Sequence, residues 1–147
     1  MKFVCDAPNG KVWFRIETEL EALQESELLQ HAVEKYFRRE QEKAVQSYQP
    51  AATVSYIEQD IGLKAHIQRE MPLFLTLRDG EGNGLATAML PPGGKKAAGF
   101  RIIIVGRANG DPYPAEGEAI QALAKQFGLT LDRDSCYPYA IGWPYHL

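Results

Sequence analysis

Long apolar runs are missing: no stretch approaches the ~20 residues a helix needs to cross a bilayer, so no membrane association is expected. Cysteine is scarce. Cys5 and Cys136 lie near opposite ends of the chain, and only a fold that brought them together would allow a disulfide. The three histidines, His31, His66 and His146, are equally scattered. Without the short ligand spacings of a zinc site, neither a metal nor any other cofactor is expected. Basic charge is also short, with 16 Lys and Arg against 19 Asp and Glu for a net charge of −3. General attraction to phosphate backbones or anionic lipid is therefore lacking, and nucleic acid is not an expected partner. No charged, apolar and small-residue leader opens the chain at Met1–Asp6, so the expectation is a soluble cytoplasmic protein with reduced thiols.

What is present fits one core. A chain of 147 residues, 45% hydrophobic and 24% charged, has globular composition and is short for two domains. The strongest strand signal is Phe100–Gly106. Side chains alternate along a strand, so Phe100, Ile102 and Ile104 face one way and Ile103 and Val105 the other. Such a strand needs cover on both faces, which predicts a central position in a sheet.

Two hairpins accompany it. Lys2–Asp6 and Lys11–Glu17 flank Asn9-Gly10, a pair that tolerates positive φ. Residues 72–78 and 85–90 flank the Gly-, Asp- and Asn-rich turn 79–84. Thr18-Glu19-Leu20-Glu21 has capping-box spacing and starts a short helix. From Ser26 onward Leu28, Leu29, Ala32, Val33, Tyr36, Phe37, Ala44, Val45 and Tyr48 form one stripe at helical spacing, predicting a long helix over about 26–48. Residues 51–70 are read as a short helix or strand before Gly62 and a strand after it. A second helix is expected over about 114–127, with Pro114 at its first turn and Gly128 as its cap. The expected fold is thus a single α+β domain over 1–147. Its sheet is antiparallel or mixed, built from two hairpins plus the central strand 100–106, and packed against both helices.

The motif-like stretches are mostly plain structure. Asp79, Glu81, Asn83 and Gly84 match the first half of a calcium loop, but Leu90 stands where a bidentate glutamate is required; a turn explains the residues. The glycines and lysines of 91–96 lack the strand–loop–helix setting of a P-loop. Cys136 has no partner signature for nucleophilic catalysis and is read as a packing residue, so no catalytic residue is assigned. Lys35, Arg39 and Lys43 share a helix face, but neighbouring Glu34, Arg38 and Glu42 alternate in sign, which describes a solvated face.

Two features remain. One is the polar loop 107–113 at the carboxyl end of the apolar strand, a place where a rigid element positions a site. The other is the aromatic C-terminal tail with Tyr137, Tyr139, Trp143 and Tyr145. The leading expectation is a non-catalytic protein-interaction module that binds a protein partner or a second copy of itself through the long helix or the tail. The alternative is a small-molecule-binding protein or enzyme whose pocket lies between the loop and the tail. Its ligand contacts would be Arg107, Asn109, Asp111, Tyr113, Trp143 and His146.

Overall fold

The computed structural model describes residues 1–50 and 55–140. Five strands form one antiparallel sheet in chain order: β1 (Lys2–Ala7), β2 (Lys11–Arg15), β3 (Leu73–Arg78), β4 (Gly84–Leu90) and β5 (Ile103–Val105). Between β2 and β3 run three helices, α1 (Glu19–Leu29), α2 (Val33–Ser47) and α3 (Tyr56–Glu70); α4 (Tyr113–Phe127) follows β5. This is the expected α+β arrangement, with both hairpins in place. Asn9 and Gly10 turn the first with φ of 65° and 74°.

The sheet is covered on both faces because its strands carry apolar side chains on both. On one face Trp13, Leu75, Leu77, Ala88 and Ile104 pack against Ile120 and Leu123 of α4. The Trp13 indole N–H donates to the Ala119 carbonyl at 2.8 Å, so the bulkiest core residue leaves no polar atom unmet. On the other face Ile16, Phe74, Ile103 and Val105 meet Ala22, Val33, Phe37 and Ala44 of α1 and α2. The Phe37 and Phe74 ring centroids are 5.3 Å apart. Each large side chain so buried contributes ~1.5–3 kcal/mol. No helix among the described residues is long and apolar enough to cross a membrane.

The apolar strand is shorter than its sequence suggests and lies last in the sheet rather than at its centre. Its side chains nevertheless point as expected, Ile104 toward α4 and Ile103 and Val105 toward the other helices. The outer edge is sealed by the chain itself: the Ile104 N–H donates to the Tyr137 carbonyl at 3.2 Å, and the Tyr137 N–H to the Ile102 carbonyl at 2.8 Å. A short parallel bridge thus does what a sixth strand would do.

The long helix is two helices. Gln30 adopts the left-handed conformation at φ 54°, its N–H and that of His31 returning to the Ser26 carbonyl. The chain restarts with the Val33 N–H donating to His31 Nδ1 and the Glu34 N–H to Ser26 Oγ. One apolar stripe is therefore shared by two rods. The reading of 51–70 is corrected as well, since α3 is a single helix running through Gly62. Ser55 and Glu58 form a capping box that starts it, while Leu63 and Ile67, four apart, lie on its inner side. Tyr48, the end of the α2 stripe, covers Gly62 and packs its ring 5.3 Å from His66.

Candidate functional site

The loop after β5 is built by its backbone. Gly106 N–H donates to the Gly110 carbonyl at 2.7 Å and Gly110 N–H to the Arg107 carbonyl at 2.9 Å. Ala108 and Asn109 between them take positive φ, 53° and 61°. Asp111 then leads the chain into the next helix, its Oδ1 accepting from the Tyr113 N–H at 3.0 Å. Its other oxygen accepts from Arg133 Nε at 2.7 Å, and the Arg133 guanidinium lies 4.5 Å from the Tyr139 ring centroid. The carboxylate holds the guanidinium pKa above its ordinary value. Tyr113 donates to the Leu131 carbonyl at 2.8 Å and meets Tyr139 edge-to-face at 5.6 Å. Burial raises the pKa of both tyrosines. Both stay neutral hydrogen-bond donors.

Beside this wall runs a trough between the first hairpin turn and the amino end of α4. One part, about 280 Å³, is lined by Asn9, Lys11 and Glu116; a second, about 590 Å³ and open along its length, by Gln121, Asp132 and Arg133. Pro8, Tyr113, Gly117 and Glu118 line both parts, so they form one surface. Glycine at 117 helps make the concavity, because a Cβ there would meet nothing within 4 Å. Lys11 Nζ donates to the largely buried Glu116 carboxylate at 2.6 Å and Gln121 Nε2 to Asp132 at 3.4 Å.

Of the residues expected to form a site, Tyr113 lines both parts of this trough, and Asp111 lies behind it, bonded to the Tyr113 N–H and to Arg133. Arg107 is exposed on the loop and Asn109 points its Oδ1 into the protein without a hydrogen-bond partner among the described residues; neither lines the trough. Trp143 and His146 lie outside the described residues. Pro8, Gly117, Glu118, Gln121, Asp132 and Arg133 were not foreseen. The one sequence signal was Glu118 and Gln121, three apart on a helix and hence on one face.

A second polar cluster is closed. Glu25, fully buried, accepts from Arg78 Nη2 at 2.7 Å and from the Thr87 hydroxyl at 2.6 Å. Val33 N–H donates to His31 Nδ1, so the ring proton sits on Nε2 and is donated to Thr87 Oγ at 2.8 Å. Both ring nitrogens and both carboxylate oxygens are thus engaged internally, which makes a clasp between α1 and the sheet. Elsewhere, Asp79 Oδ1 accepts from the N–H groups of Glu81 and Asn83, both at 2.9 Å, so its carboxylate shapes the hairpin turn. Cys5 and Cys136 are buried free thiols whose pKa values burial raises.

The fold and site define an α+β protein with an open trough at one helix terminus. No protein family, curated protein sequence or solved structure matches the chain.

Proposed function

We propose that this chain is a single-domain, non-catalytic interaction module whose working surface is the trough at the amino end of α4, and that the occupant is a segment of a protein partner. The observation that carries the reading is the trough's shape. It runs from Lys11 at one end to Asp132 at the other and is open along its larger part, whereas a small-molecule site buries most of its ligand in a closed cleft. Its walls are preset, Arg133 by Asp111 and Tyr139, and Tyr113 by Leu131. Fixing these walls in advance reduces the ordering that this side of the contact would need on binding.

The test is selection of a displayed peptide library against the protein, with a counter-screen on Gly117→Trp, whose Cβ enters open space and whose indole would occupy the trough. Enriched peptides that lose binding to the variant support the reading. Peptides that bind both proteins equally overturn it.

Self-association is a second reading, favoured by Tyr56, Ile57 and Ile61, which α3 leaves 91%, 75% and 63% exposed. A mass by light scattering that stays monomeric as concentration rises would remove it.

A further inference from the structure

Charge on the trough points to the chemistry of its occupant. Two cations border it, and each is already neutralised: Lys11 by Glu116 at 2.6 Å and Arg133 by Asp111 at 2.7 Å. Two further carboxylates, Glu118 and Asp132, form no ion pair among the described residues. Both line the open part of the trough, together with Gln121, which is one turn from Glu118 and donates to Asp132. The same surface is lined by Pro8 of the hairpin turn and by Tyr113, an apolar bed of the kind along which the methylene stem of a long cationic side chain packs. With each cation matched by one carboxylate, Glu118 and Asp132 leave the trough with a net negative charge.

We propose, resting on the trough being the working surface, that its occupant is a basic segment of another protein, extended along the trough and presenting an arginine or lysine to Glu118 and Asp132. The stem lies on Tyr113 and Pro8, and the charged head replaces water at the two carboxylates. An acidic segment meets the same carboxylates as repulsion, so the trough selects by sign of charge as well as by shape.

The experiment uses three fluorescein-labelled nine-residue glycine–serine peptides carrying three arginines, three glutamates or no charge, read by fluorescence anisotropy at low and physiological salt. The expected result is saturable binding of the arginine peptide, weakened by salt, with neither of the others bound comparably. Glu118→Gln/Asp132→Asn is expected to weaken arginine-peptide binding about tenfold or more, and Glu42→Gln on the remote face of α2 to leave it unchanged. The proposal is overturned by no binding of the arginine peptide, by equal binding of the neutral and arginine peptides, or by indifference to the double variant. Gly117→Trp separates the two levels. If it abolishes binding of a neutral peptide that binds as well as the arginine one, the trough stands and its charge preference falls. If arginine-peptide binding survives Gly117→Trp, the trough itself is not the site and both readings fall.

Discussion

The Glu25 carboxylate, fully buried beneath α1, lies 2.7 Å from the Arg78 guanidinium at the end of β3. An anion withdrawn from water keeps its charge only where partners replace its hydration, and here Arg78 and Thr87 do so. Arg78→Met is therefore expected to lower the unfolding free energy by ~3–5 kcal/mol in urea titration, because it strands a buried charge. Glu25→Met/Arg78→Met, which removes both charges, is expected to be less destabilised than the single variant. A single-variant loss below ~1 kcal/mol, the range of an exposed ion pair, would show that this pair does not hold α1 to the sheet.

The same cluster sets a pH dependence. Burial lowers the His31 pKa to about 4, while an unfolded histidine titrates near ~6.5. Between those values the unfolded chain takes up a proton that the folded chain refuses. Stability from this group is therefore complete above pH ~6.5 and falls by ~2–3 kcal/mol as the pH drops toward 4. Melting temperatures between pH 7 and pH 4 should decline in the native protein and decline less in His31→Gln. Equal slopes for the two proteins would assign the decline to other groups.

How far these features could be foreseen depends on whether they are local. Hairpin turns at Asn9-Gly10, the Thr18 capping box and the α4 stripe ending at Gly128 are written in neighbouring residues, and all appear where expected. The division at Gln30 was hidden because a left-handed cap needs no glycine, and the stripe of Leu29, Val33 and Phe37 continues across it. Helix α3 looks strand-like after Gly62 because Leu63, Ala65 and Ile67 alternate by chance, and the local signal for the helix is the Ser55–Glu58 box that precedes them. Glu25 was legible in principle: it shares the inner side of α1 with Ala22 and Leu29, a carboxylate in an apolar stripe. The trough was not legible at all. Pro8, Glu118 and Asp132 meet only because β1 packs beside α4 and the chain returns past it after Leu131.

Two glycines make opposite predictions from the same substitution. Gly117 lies within α4, does not take positive φ, and has open space where a Cβ would go. Gly117→Ala should therefore raise stability by ~0.5–1 kcal/mol through helix propensity and reduced freedom of the unfolded chain. Gly94 sits at φ 68°, and its Cβ would run into the ring of Phe127, which closes the far end of α4 against the turn at 92–94. Gly94→Ala combines left-handed strain with displacement of that ring, so a loss of ~1–3 kcal/mol is expected. Chemical denaturation of both variants beside the native protein checks the pair. Because the residue introduced is the same, its side-chain entropy and hydrophobicity are common to both measurements, and the difference in sign reports backbone conformation and local space. A stabilised Gly94→Ala would mean that Phe127 yields freely and the turn is not packed on α4. A destabilised Gly117→Ala would mean that the trough is filled in the free protein, contrary to the open space on which its use as a binding surface depends.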